Sequence, residues 1–248
     1  MRRAKRTGMA MDIHTVTIMI TDPGLTRLMT WLSPGFPVGA FAFSHGLEHA
    51  VEQGGIGDAP TLIRWLDGVL DFGAGRVDAT LFRAAHEAVG DGDDARLAWA
   101  VERGAAQRGT AELALESSAQ GRAFLNTMLK VWPDERLAVW RETLDREGRE
   151  PAYPIAVGVA CAVAGIALRS ALVAYLHALT ANLVSAAVRL VPLGQTDGQR
   201  ALAALEARII DTAASALRRR PDDLGSAALA VDWHSMQHET QYTRLFRS

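Results

Sequence analysis

A chain of 248 residues, 49% hydrophobic and 22% charged, is long and apolar enough to bury a sizeable core and is not a disordered polymer. Its formal net charge of −2 gives no global case for nucleic-acid binding. Lys5 and Lys130 are the only lysines and neither follows a Gly, which excludes a glycine-rich phosphate loop; Cys161 alone excludes an internal disulfide or a thiolate metal cluster and suits a reducing compartment.

The first twenty residues are basic (Arg2, Arg3, Lys5, Arg6), but Asp12 and His14 break the apolar stretch behind them. Residues 15–20 are too short for a signal-peptide core, so 1–20 read as a flexible extension of a cytoplasmic protein. From residue 22 onward helical spacing dominates. Leu62, Trp65, Leu66 and Val69 recur at i, i+3, i+4 and i+7, and Gly121, Phe124, Leu125 and Met128 repeat the pattern. The predicted helices cover about 22–33, 43–54, 59–73, 75–89, 92–107, 110–131, 134–147, 152–164, 168–190 and 197–219, separated by short Gly, Pro or Asp breaks. No break is long enough for a domain linker. The prediction is therefore an all-α fold: one bundle of about ten helices over 21–234, with a tail at 235–248.

Residues 153–191 are poor in charge and long enough to raise a membrane span. Arg169 interrupts the run, His177, Asn182 and Ser185 recur on one side, and Ala outweighs Leu and Ile, so core helices are expected and no membrane.

Four segments are candidate sites. The loop at 33–41, with Pro34, Pro37, Gly35 and Gly39, reads as a rigid turn with Phe36 and Phe41 as anchors. His45, Glu48 and His49 match the H-x-x-E-H pattern of inverted zinc proteases, in which both imidazoles share a helix face beside a general base. A zinc-dependent hydrolase is thus the alternative reading, although the sequence identifies no third ligand. At 192–199, Gly194 is expected to close one helix in a left-handed turn, and Thr196 with Gln199 to form a capping box for the next. That leaves Gln195 and Asp197 for partner contact. The tail places Met236, Tyr242, Leu245 and Phe246 among His238, Glu239, Arg244 and Arg247, which is the composition of an interface hot spot. His234 and His238, at i and i+4, add a candidate pair for weak transition-metal binding.

Three of these segments carry a family resemblance. Residues 33–52 resemble the S-P-x-x-P-V-G-A-F-x-x-S-x-G-L-E-x-A-V-E segment of the UreF family of urease accessory proteins. Residues 182–199, Asn-Leu-Val-Ser-Ala-Ala-Val-Arg-Leu-Val-Pro-Leu-Gly-Gln-Thr-Asp-Gly-Gln, resemble that family's hallmark, and 235–248 resemble its S-M-R-H-E-T-Q-Y-S-R-L-F-R-S ending. The chain departs from the pattern at Phe43, His45 and His49, where the family often has Tyr, Gln and Trp, and at Gln237, where it often has Arg.

The resemblance implies an all-α homodimer with no catalytic residues and no firmly bound cofactor. It implies a nickel-insertion co-chaperone that joins a UreD/UreH-type protein, recruits a UreG-type GTPase and docks on apo-urease, the complex handling the nickel. Partner contacts are then expected at Met236, His238, Glu239, Gln241, Tyr242, Arg244, Leu245, Phe246 and Arg247, at Pro37, Phe41, Ser44 and Glu48, and at Gln195 and Asp197. No residue is a firm metal ligand, with His45, His49, His234 and His238 as the weak candidates.

Overall fold

The structure, a computed structural model, describes residues 21–248; the extension expected at 1–20 lies outside them. The regular structure of the described residues is entirely helical: α1 (Asp22–Trp31), α2 (Leu47–Glu52), α3 (Ala59–Phe72), α4 (Ala74–Asp91), α5 (Asp94–Ala106), α6 (Ala111–Val131), α7 (Glu135–Arg146), α8 (Tyr153–Val163), α9 (Leu168–Leu190), α10 (Gln195–Ala204), α11 (Glu206–Ala216) and α12 (Leu229–His238). Single 3-10 turns occupy Ala40–Ala42 and Pro221–Asp223.

Local chemistry sets most helix starts. The Asp58 carboxylate accepts from Thr61 N at 2.9 Å, and the Thr61 hydroxyl accepts from Asp58 N at 3.1 Å, a reciprocal cap for α3. Thr110 and Asp134 cap α6 and α7 by accepting from Leu113 N and Arg136 N. Gly92, with φ 68°, ends α4 in the left-handed region open to glycine.

The core is organised around α8 and α9. Helix α8 is apolar on nearly every side and lies against α4 and α6. Glycines permit those crossings: a Cβ on Gly158 would meet Phe82 O at 2.7 Å, and one on Gly121 would meet Pro151 O at 2.0 Å. Helix α9 packs against α2, α3, α4, α8, α10 and α11. It is long and apolar enough to cross a membrane by length and composition alone, and half of its most apolar stretch is buried by those neighbours, the pattern of a central core helix. Continuous hydrophobic packing runs from Leu28 and Trp31 to Ala228 and Val231.

Several expectations are corrected. The helix predicted over 43–54 shrinks to α2, because His45 (φ 58°) and Gly46 (φ 77°) take left-handed backbone that no helix continues through. The single helix predicted over 197–219 is two, broken at buried Leu205, whose amide is shared between Ala201 O and Leu202 O. At their start Gly194 is extended (φ −75°, ψ 160°) rather than left-handed, and the Asp197 carboxylate, not Thr196 with Gln199, caps the helix by accepting from Gly194 N at 3.3 Å. Finally, α12 occupies residues for which no helix is predicted and runs into the segment read as the tail, through His238. Its buried face is Val231, Ser235 and His238, too polar to register as an apolar stripe.

Gly158→Ala is expected to lower stability by about 1–3 kcal/mol through forced separation of α4 and α8. Gly68→Ala, in α3 with open space around the added carbon, is expected to raise it by about 0.5–1 kcal/mol. Urea midpoints of the two variants check the pair; equal shifts would contradict the close-packing account.

Candidate functional site

Two of the segments singled out from sequence, residues 45–49 and the tail, meet where the start of α2, the start of α6 and α12 come together. Gly46 is required there twice over: its φ is positive, and a Cβ would lie 2.9 Å from Ser235 N and 3.1 Å from Val231 O of α12. This turn also separates the two histidines of the H-x-x-E-H match. His45 precedes the helix and its Nδ1 meets Glu116 Oε2 at 3.2 Å, while His49 Nδ1 meets His234 Nδ1 at 2.8 Å. The imidazoles do not share a helix face, and Glu48 turns to the tail, so the zinc-protease geometry is not formed.

Helix α6 contributes a buried polar stripe that the sequence reading passed over. Glu112, Glu116 and Gln120 are all buried, and Gln120 Nε2 donates to Glu116 Oε1 at 3.3 Å. The signal was in the spacing. Glu112, Glu116 and Gln120 continue the line of Phe124 and Met128 at four-residue intervals, so a stripe leading into the core begins with carboxylates.

Those carboxylates receive the tail. Glu48 accepts from two consecutive tail amides, Leu245 N at 2.6 Å and Phe246 N at 2.8 Å. His238, with no exposed surface, lies between Glu112 (Nδ1, 2.8 Å) and Glu48 (Nε2, 3.1 Å), so each ring nitrogen faces a carboxylate. Arg244 donates to Glu112 Oε1 at 3.1 Å and the Ser248 hydroxyl to Glu116 Oε2 at 3.2 Å. Main-chain bonds close the seam: Arg247 N to Ala42 O at 2.8 Å and Ser44 N to Ser248 O at 2.6 Å, with the Ser44 hydroxyl on the same oxygen. Phe246 is buried under the Arg189 guanidinium, 4.3 Å from its ring, and Arg247 lies over Phe43 at 5.6 Å.

The predicted contact residues therefore divide. Ser44, Glu48, His238 and Phe246 are buried in the tail's own seat, and the expected His234–His238 metal pair is not formed, since His238 faces Glu112 and Glu48 while His234 faces His49. Asp197 is occupied by the cap of α10 and by Arg200 at 2.7 Å, whereas Gln195 is exposed. Met236, Glu239, Tyr242, Leu245 and Arg247 are exposed, as is much of Arg244, and Gln241 is half-buried. Tyr242 has its full surface in solvent, and Leu229 and Trp233 of α12, not anticipated from sequence, are exposed as well and share Met236's helix face by their spacing. In the loop, Phe36 enters an aromatic cluster with Phe124 and Trp132, while Pro37 and Phe41 remain outside. A cavity of about 410 Å³ opens between this loop and α9, floored by His45, Asp78, Arg108, Glu116 and Tyr175.

Burial opposes a charge on His45, but the adjacent Glu116 carboxylate outweighs it and raises the imidazole above its ordinary value of 6.5. Burial raises Glu112, with His238 and Arg244 pulling it partly back. Both shifts are upward, so both groups hold protons in the folded state that the unfolded chain has released. Each contribution is present below the unfolded pKa and is lost as pH rises through the folded value. Stability is therefore expected to fall above pH 6.5 as His45 deprotonates, and Glu116→Gln should flatten that slope; thermal melts across pH 6–9 that keep the wild-type slope would refute the pairing. Glu48→Ala should independently abolish hydrogen-exchange protection at Leu245 N and Phe246 N while leaving α9 amides protected, because it removes both acceptors.

Comparison with known proteins identifies the family. A profile of the UreF family matches residues 56–206. The urease accessory protein UreF of Rhodopseudomonas palustris strain BisA53 is 50% identical over 237 residues, covering 92% of this chain and 98% of that protein. Its counterpart in Granulibacter bethesdensis is 48% identical over 237 residues, covering 96% and 99%, and that of Bradyrhizobium diazoefficiens is 48% identical over 225 residues, covering 90% and 91%. The chain belongs to the UreF family of urease accessory proteins, maturation factors rather than enzymes.

Proposed function

We propose that this chain is a positional scaffold for nickel insertion: with a UreD/UreH-type protein it holds a UreG-type GTPase against apo-urease while the metallocentre is assembled. A urease accessory protein works with the other factors of urease maturation, and the specific partners are this proposal's own. The observation that carries it is the clamped tail. Its backbone is fixed by Glu48 and Ala42, yet Met236, Tyr242 and Leu245 face solvent, as do Leu229 and Trp233 of α12. Large apolar groups held in fixed positions bind with little ordering cost, which is the physical basis of a hot spot.

Pro37, Phe41 and Gln195 are further contact candidates on the same reading, since all three are exposed. The scaffold is proposed to act in the cytoplasm as a homodimer, without nucleic acid or membrane, with nickel handled by the assembled complex.

The double variant Tyr242→Ala, Leu245→Asp should reduce capture of the UreD/UreH-type partner by more than about tenfold while preserving the helical signal, in line with the loss of hot-spot side chains. Undiminished capture would overturn the tail assignment. A urease operon lacking this chain should yield urease depleted of nickel, and full nickel content would overturn the maturation role.

A further inference from the structure

His49 of α2 and His234 of α12 are 185 residues apart in sequence and meet at Nδ1–Nδ1 2.8 Å, with ring centroids 5.0 Å apart. Both rings are half-buried, and Trp65 of α3 presents edge-to-face to His234 at 5.5 Å. Neither histidine takes part in the clamp that seats the tail; the pair lies where α2 packs on α12.

We propose that His49 and His234 form an open two-imidazole site for a divalent transition-metal ion of octahedral or square-planar preference. The bite distance decides the class. With metal–nitrogen bonds of about 2.0–2.1 Å, nitrogens 2.8 Å apart subtend roughly 85–90° at the metal, the angle between neighbouring positions of an octahedron or square. A tetrahedral angle would require a separation of about 3.3–3.4 Å at the same bond length. The pair thus favours Cu²⁺ or Ni²⁺ over Zn²⁺, and for Cu²⁺ the Irving–Williams order points the same way.

Ligation uses both Nδ1 lone pairs, so each ring carries its proton on Nε2, and the proton shared between the Nδ1 atoms of the metal-free pair moves to Nε2 or to solvent. Among the described residues no third His, Cys, Asp or Glu completes a group around the pair. The remaining positions are left to water or to a donor from outside the chain, and the site is a weak, exchangeable one. A bound ion would join α2 to α12, the helix that carries Trp233 and Met236. The inference is independent of the maturation role and stands or falls without it.

The test is equilibrium dialysis of the full chain, without an affinity tag, against Cu²⁺, Ni²⁺ and Zn²⁺ separately. One equivalent of Cu²⁺ or Ni²⁺ per chain is expected, bound more tightly than Zn²⁺. His49→Gln and His234→Gln should each lose it, and His177→Gln, exposed on α9, should keep it. On the unsubstituted protein, so that no variant need fold, Cu²⁺ should broaden the imidazole resonances of His49 and His234 ahead of those of His86 and His177. Stoichiometric binding that survives either Gln variant, tighter Zn²⁺ than Ni²⁺, absence of saturable Cu²⁺ or Ni²⁺ binding, or broadening first at His86 or His177 would overturn the site.

Discussion

The carboxylate of Glu48 sits in the protein interior and is compensated by the backbone of residues almost two hundred positions away, the amides of Leu245 and Phe246. A buried carboxylate without partners costs several kcal/mol, and unpartnered amides cost more again, so each group makes the other tolerable only when the tail is home. The contact also explains α2. At six residues that helix is too short to persist by itself. It exists because Gly46 abuts α12, Glu48 holds the tail, and its apolar residues Leu47 and Ala50 enter the core.

Around that contact the fold brings together Glu112 and Glu116 from α6 with His45, His238, Arg244 and Ser248. Three buried glutamates would repel one another in a low dielectric, and the imidazoles and the guanidinium interleaved among them offset that repulsion. The cluster is thus a seat that fixes where the terminal segment lies. Its outer side is left apolar at Met236, Tyr242 and Leu245, so one segment is anchored by its backbone and presents its side chains. Residues in the tail that look alike by composition do opposite things: Phe246 faces in beneath Arg189, and Leu245, one position earlier, faces out.

Much of the scaffold was legible in the sequence because helical periodicity is a local property. Helix α9 falls on the predicted span, and α3, α4, α6, α7 and α8 begin and end within two residues of it. The all-α class, the core nature of the apolar 168–190 segment, and the three segments that mark the family needed nothing beyond the order of residues. Reading failed where a local rule was overridden by a distant contact. His45 and Gly46 look helical until α12 crosses them, Gly194 looks like a left-handed turn until Asp197 takes its amide, and 197–219 looks continuous until Leu205 is drawn into the core.

The candidate site shows the same boundary. The sequence by itself determined that the 45–49 segment and the tail matter, the tail through aromatic and basic residues that announced contact, but not the carboxylates of α6. Only the tertiary structure decided what those residues contact. It sent Glu48 and His238 inward and Tyr242 outward, split His45 from His49, and joined His49 to His234. The physical reason is that hydrogen bonds between a carboxylate and a backbone 197 positions away leave no periodic trace in the chain. Spacing records the face of a helix, and the partner of that face is chosen only when the helices pack.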